Sequence, residues 1–210
     1  MVAHRKTIAL AVVAASCLLL LQSCAMLQDM ATALSNLQRL RFKLGGVDDF
    51  RLLGISLSGK SRLNQFSVMD GVRLLNAFHT KSLMADFVLN VLAVNPNDGT
   101  GGSPKTVSTL SSMECRLLID NIPTVSGNIE RAVEIPGTGQ ESVIPIRLSL
   151  DLFQFFANKQ YEDLINLALA IGGANQDTTR LALDAQPRVS TPYGAITYPG
   201  RLTIVSREFH

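Results

Sequence analysis

The run from Ala85 to Asn95, ADFVLNVLAVN, constrains the fold more than any other stretch of this chain. Phe87, Leu89, Val91 and Ala93 recur at every second position, a period that places them on one face of a strand and scatters them around a helix. Val88, Leu92 and Val94 make the opposite face apolar as well, so the segment predicts a central strand. It ends in Asn95-Pro96-Asn97-Asp98-Gly99. Pro96 has no N–H to give to a ladder, and Asn and Gly supply turn conformations, so pairing stops there and a Gly/Ser/Pro-rich loop carries the chain to Pro104.

The same period recurs elsewhere. Leu40, Phe42 and Leu44 alternate with Arg39, Arg41 and Lys43, which predicts a strand with one wet face rather than a basic nucleic-acid patch. Gly45-Gly46-Val47-Asp48-Asp49 reads as a turn, and Phe50 to Ser58 as the returning strand, with Leu53, Ile55 and Leu57 on one face. Further strands are expected at 106–121, 125–135 and 142–150, punctuated by Gly127 and Pro136-Gly137-Thr138-Gly139. Two more, at 178–190 and 195–208, are joined through Pro192-Tyr193-Gly194. Ser67-Val68-Met69-Asp70 has the form of a capping box opening a short helix, with Val68, Val72 and Leu75 on one stripe and Leu74 and Phe78 beside it. Asp151 opens a longer helix to about Ile171, with Phe153, Phe156, Gln160, Leu164, Leu167 and Ile171 on one face and Gly172-Gly173 as its end. That stripe fits either packing on a sheet or a lid over cargo. Seven or eight strands with one long and one short helix predict a mainly β protein, a sandwich with helical additions.

The N-terminus sets the compartment. His4, Arg5 and Lys6 precede an apolar run from Thr7 to Leu21, which is short of the roughly 20 residues needed to span a bilayer. Leu21-Gln22-Ser23-Cys24 resembles a bacterial lipobox, in which the chain is cut before the cysteine and the cysteine carries lipid. Cys17 is a weaker candidate, because Ala14 stands where Cys24 has Leu21. The expected partition is a signal peptide over 1–23, a lipidated tether over 24–38 and one domain over 39–210. Ala25, rather than Asp, follows Cys24, which points to the outer membrane facing the periplasm. Removing the first 23 of 210 residues leaves 187, enough for one domain with a sizeable core. Of 19 Lys+Arg and 17 Asp+Glu, only Arg5 and Lys6 leave with the signal, so the mature chain is neutral. A neutral chain argues against nucleic acid as a partner and leaves membrane attachment to the lipid on Cys24. With Cys24 lipidated, Cys115 has no partner for a disulfide, and its alternation with Met113, Leu117 and Ile119 places it on a buried strand face.

Several stretches imitate reactive chemistry. Gly54-Ile55-Ser56-Leu57-Ser58-Gly59-Lys60-Ser61 matches the GxxxxGK[ST] phosphate-loop pattern. The match lacks its context: the two-residue apolar period continues through it, and no helix signal follows until Ser67. Asp120, at the end of Leu117-Leu118-Ile119-Asp120, reads as a strand end. No nucleotide is expected. His79 and His210 form no metal-ligand spacing and no Ser–His–acid set. Glu162 and Asp163 are adjacent on a helix and point apart; Tyr193 and Tyr198 read as packing or rim residues. No catalytic residue, metal or cofactor is expected beyond covalent lipid.

The Phe87–Asn97 strand with its Asn-Pro-Asn ending resembles the late embryogenesis abundant type 2 family, the WHy (water stress and hypersensitive response) domain. The resemblance continues through a strand at Cys115–Ile119, the Gly127 region, Val133-Glu134-Ile135-Pro136, Val143-Ile144-Pro145-Ile146 and a helix, covering about 45–209. The lipoprotein start, the 151–171 helix and the 60–82 segment depart from it. It implies an immunoglobulin- or fibronectin-III-like sandwich, a structural turn at Asn95, Pro96 and Asn97, and no enzymatic activity. The expected function is a non-enzymatic envelope lipoprotein that contacts envelope proteins or protects them under water stress. The alternative is a carrier of an apolar ligand or lipid.

Overall fold

The computed structural model describes residues 27–100, 104–192 and 194–210; Cys24, the signal segment and Tyr193 lie outside them. Residues 27–39 are helical (α1). There follow β1 (Arg41–Leu52), β2 (Ile55–Ser56), α2 (Val68–His79), β3 (Met84–Val94), β4 (Ser108–Ile119), β5 (Ile122–Gly127), β6 (Val133–Ile135) and β7 (Glu141–Asp151). The chain ends through α3 (Leu152–Phe156), α4 (Tyr161–Gly172), β8 (Leu181–Thr191), β9 (Gly194–Thr197) and β10 (Leu202–Ile204).

The strands form two antiparallel sheets in a sandwich-like arrangement. The first has the order β2-β1-β3-β7; the second has the order β10-β8-β4-β5, with β6 also on β4 and β9 also on β8. β3 is central, as its two apolar faces required, paired with β1 from Arg41↔Val94 to Leu52↔Ala85 and with β7 from Met84↔Asp151 to Val94↔Glu141. Its inner residues Ala85, Phe87, Leu89, Val91 and Ala93 are buried together with Ile144, Ile146, Leu148 and Leu150 of β7. Met113, Cys115, Leu117 and Ile119 of β4, with Leu183 and Ala185 of β8, supply the facing layer. The sheets approach closely at Gly127: a Cβ there would lie 2.5 Å from Leu148 Cδ2. Residues 205–210 run back along β1, Phe42 N donating to His210 O (2.7 Å), His210 N to Phe42 O (2.9 Å) and Leu44 N to Val205 O (3.0 Å).

Four expectations are corrected. Gly45–Asp49 is not a turn. β1 runs straight through it, with register shifts between Leu44 and Val47 and between Asp48 and Arg51. The amide of Gln176 meets the bulged backbone, accepting from Val47 N (3.1 Å) and donating to Val47 O (2.5 Å). The reversal comes later, at Leu53 and Gly54, both at positive φ (52° and 78°), and the strand expected to run to Ser58 shrinks to β2. The 125–135 strand is two, β5 and β6, separated by 128–132. The single long helix is also two, α3 and α4, broken at 157–160. The described residues therefore hold ten strands and four helices rather than seven or eight strands and two helices.

Helix ends follow their sequence signals. Ser67 Oγ accepts from Asp70 N (3.1 Å) and Asp70 Oδ2 from Ser67 N (3.4 Å), the anticipated capping box. Asp151 Oδ1 accepts from Phe153 N (2.9 Å) and from Leu83 N (2.8 Å), so one carboxylate starts α3 and pins the entry to β3. In α4, Leu164, Ile165, Leu167, Ala168, Leu169 and Ile171 are all buried, more than one amphipathic face holds. Its last residue packs on the Phe50 ring, which stacks on Phe87 at 5.1 Å. A Cβ at Gly172 would lie 2.1 Å from Phe50 Cγ, an approach only glycine permits. Gly172→Ala must therefore separate α4 from β1; it is expected to cost about 1–3 kcal/mol, read as a lower urea midpoint with unchanged slope.

Cys115 is 3% exposed, and burial pushes its thiol up to about 11. The folded protein therefore keeps a proton that the unfolded chain loses first, so stability falls as pH rises through the window from the ordinary thiol value to about 11. Between about pH 8 and 10.5 the wild type should lose on the order of 1–2 kcal/mol more than Cys115→Ala, measured by urea unfolding at each pH.

Candidate functional site

The Asn-Pro-Asn turn builds a polar hub at one end of the sandwich. Asn95 and Asn97 are both fully buried (0% exposed). Burying an amide costs free energy unless each polar atom finds a partner. Asn95 Nδ2 donates to Thr106 O (2.9 Å), just before β4, and to Ile135 O (3.0 Å), at the end of β6. Ser108 Oγ lies at 3.4 Å from the same nitrogen. Asn95 Oδ1 accepts from Asn97 N (3.1 Å) and Asn97 Nδ2 (2.8 Å), closing the turn across Pro96. Asn97 Nδ2 also donates to Asn36 O (3.2 Å), in the last turn of α1. Backbone contacts complete the hub: Thr106 N donates to Asn97 O (3.0 Å), and Gly139 N to Asn95 O (3.2 Å).

The Pro136–Gly139 turn lies directly against this backbone. A Cβ at Gly137 would sit 2.2 Å from Asn97 O and 2.4 Å from Thr106 O, so the site requires glycine. Beside it, Asp98 Oδ1 accepts from Thr100 N (2.9 Å) and Thr100 Oγ1 (2.7 Å), and these bonds hold its carboxyl below the usual range. A cleft of about 230 Å³ between Ala33, Asn36, Thr106, Ser190 and Pro192 flanks the hub. A second, of about 490 Å³, lies on the outer face of the first sheet between Val88, Pro145, Arg147 and Glu130. Arg147 Nε donates to Glu130 Oε1 across it (3.2 Å).

The three motif residues were legible; their partners were not. Asn36 ends the 25–36 segment, readable as a tether or a short helix; residues 27–39 are helical and Leu37 is 1% exposed. Thr106 and Ile135 contribute only backbone groups, which no side-chain pattern marks. Pro-Gly at 136–137 was the available signal for a close backbone approach. The hub's two amides bond to each other and to main chain, and these bonds hold segments together.

The residues of the phosphate-loop pattern are spread over unrelated elements. Gly54 turns the β1–β2 hairpin, Ile55 and Ser56 form β2, and the next α-helix begins only at Val68. Lys60 Nζ lies 5.9 Å from the Phe66 ring centroid, and Lys60 O accepts from Ala174 N (2.8 Å) after α4. Asp120 and Asn121, both at positive φ (51° and 63°), make the two-residue β4–β5 turn. Asp120 pairs with Arg180 through Nε–Oδ1 (2.7 Å) and Nη2–Oδ2, and those hydrogen bonds hold its carboxyl below the usual range. His79 ends α2, while His210 Nε2 lies 3.7 Å from Glu208 Oε1. Among the described residues no group of three or more His, Cys, Asp or Glu is placed to hold a metal.

These features define an antiparallel two-sheet β protein with a helix docked at one end. No protein-family model and no curated protein matches the chain. Among solved structures it is similar to the crystal structure of a protein from Archaeoglobus fulgidus, at 9% identity over 79% of this chain and 99% of that one, with a TM-score of 0.32.

Asn95→Ala leaves one buried and one part-buried carbonyl without its Asn95 donor and should cost about 2–5 kcal/mol, read by urea unfolding. Asn97→Ala frees the end of α1 and should expose the 27–40 segment to proteolysis before the sandwich unfolds, visible as an early N-terminal cut in limited digestion.

Proposed function

We propose that this chain is a non-enzymatic envelope lipoprotein, anchored by lipid on Cys24, whose sandwich domain contacts envelope proteins or protects them under water stress. Residues 27–39 carry the reading furthest. The helix described from Leu27, three positions beyond Cys24 in sequence, has its Leu37 buried and its Asn36 carbonyl held by Asn97. A lipid at Cys24 would therefore hold the hub end close to the bilayer instead of trailing it on a loose leash. The membership of the late embryogenesis abundant type 2 family, with its immunoglobulin-like topology, belongs to the same proposal. The hub supports it, because Asn95 and Asn97 act there as the structural turn that the family motif implies. The lipobox-like Leu21–Cys24 and the Ala25 that follows support an outer-membrane, periplasm-facing location.

The alternative, a carrier of apolar cargo, places the ligand under the 161–172 helix. Gly172 against Phe50, and six large or small apolar residues of α4 buried in the core, support core cover there instead.

Cys24→Ser should abolish incorporation of labelled fatty acid, with an unchanged unfolding midpoint. Fatty-acid labelling that persists in Cys24→Ser would overturn the lipid anchor. Lipid co-purifying stoichiometrically with Cys24→Ser, seen by native mass spectrometry, would favour the carrier.

A further inference from the structure

The outward side of α2 carries a feature that the proposed function does not use. Val68, Met69, Val72 and Leu75 are 88, 65, 59 and 47% exposed, while Leu74 and Ala77 hold the helix to the domain. At a helical period, Val68, Val72 and Leu75 form one ridge, with His79 in line and Met69 to its side. Single exposed apolar side chains are ordinary; an aligned row marks a contact surface. The ridge also has a charge. Between residues 60 and 83 stand Lys60, Arg62, Arg73 and Lys81 against one acid, Asp70, whose carboxylate is engaged with Ser67 N in the capping box. The other end of the helix is tied down by aromatic contacts: Phe78 meets Phe153 at 5.5 Å and Tyr161 at 5.6 Å.

We propose that α2 is a second membrane contact, its apolar ridge entering the interface of an anionic bilayer while Arg62, Arg73 and Lys81 meet lipid phosphates. Two observations favour lipid over a protein partner. The apolar surface is four side chains, against about 20–30 residues a side in a stable protein interface. It is also most exposed at Val68, 88%, and a fluid interface accepts an exposed ridge without a matching groove. The basic surround matches anionic headgroups and disfavours a second copy of the same helix, which would bring Arg73 towards Arg73. Position adds a consequence. α2 adjoins the start of β3 at Met84, whereas Asn36 and Asn97 lie beyond its end at Val94, on the order of 33 Å away. Contact at both ends lays the domain along the bilayer.

The contact stands on α2 and is tested without the lipid. In full-length protein carrying Cys17→Ser and Cys24→Ser, Val72→Cys gives an exposed labelling position, while Cys115 stays buried. A polarity-sensitive fluorophore there should shift to the blue on vesicles of phosphatidylcholine with about 30% phosphatidylglycerol, and be quenched by brominated acyl chains. This readout is local, so sedimentation through the Thr7–Leu21 run cannot mimic it. Arg73→Glu with Lys81→Glu should raise the lipid concentration for half-shift by about tenfold or more, as should raised salt. Leu75→Asp should abolish the shift while leaving the unfolding midpoint unchanged. Emission that stays constant on anionic vesicles overturns the proposal. So does a blue shift that depends on protein concentration without vesicles, which would assign the ridge to a second copy, or one that appears only with an acidic protein partner. Fatty-acid labelling at Cys24 is read on the native chain, so either membrane contact can fail alone.

Discussion

The end of the sandwich depends on one buried amide. Asn95 brings two N–H groups to the carbonyls that precede β4 and end β6, and its oxygen closes the turn that carries Asn97. Few side chains could replace it. Aspartate offers no donor, and glutamine places its amide one methylene further out, in a space already set by Gly137. Because Asn97 passes the arrangement on to Asn36, four segments distant in sequence share one small hydrogen-bonded cluster. Such a cluster is cooperative: removing one member leaves several buried groups without partners, and the low local dielectric makes each omission expensive.

The two ends of the molecule are built from different chemistry. At the Asn95 end, buried amides bind main chain. At the other, the β4–β5 turn is held on the surface by the Asp120–Arg180 pair, and α2, α3 and α4 meet through the rings of Phe78, Phe153 and Tyr161. Both carboxylate and guanidinium of that pair are about one-third exposed, so solvent screens it; its fork geometry chiefly orients the turn.

How much of this was legible varies by element for physical reasons. β3, β4 and β7 were read correctly because a core on one face forces a period of two. Gly45-Gly46 has turn composition, yet glycine also suits a bulge, and what keeps the strand going is Gln176, 129 positions away from Val47. No local rule could supply that partner. The true reversal uses Leu53 in a left-handed conformation, an uncommon choice that propensity does not anticipate. In α2 the capping box and the stripe both formed, but periodicity reports only that a face is apolar; whether it meets core or solvent is decided by the rest of the chain. The candidate site follows the same division. Asn95, Pro96 and Asn97 were visible as a motif, while the carbonyls they bind belong to residues whose side chains are irrelevant to the contact.

The pairing of residues 205–210 with the start of β1 has a consequence for how the protein is made. β1 is the first strand of the domain, and the backbone groups of Phe42 are satisfied by residue 210. Until the chain has been produced to that point, Phe42 and Leu44 keep unpaired edges, and Gln176 must also be present before the bulge at Val47 is closed. Synthesis from the N-terminus therefore leaves this edge of the first strand unpaired until residues 205–210 have emerged. The growing chain therefore depends on whatever shields its apolar strands in the meantime.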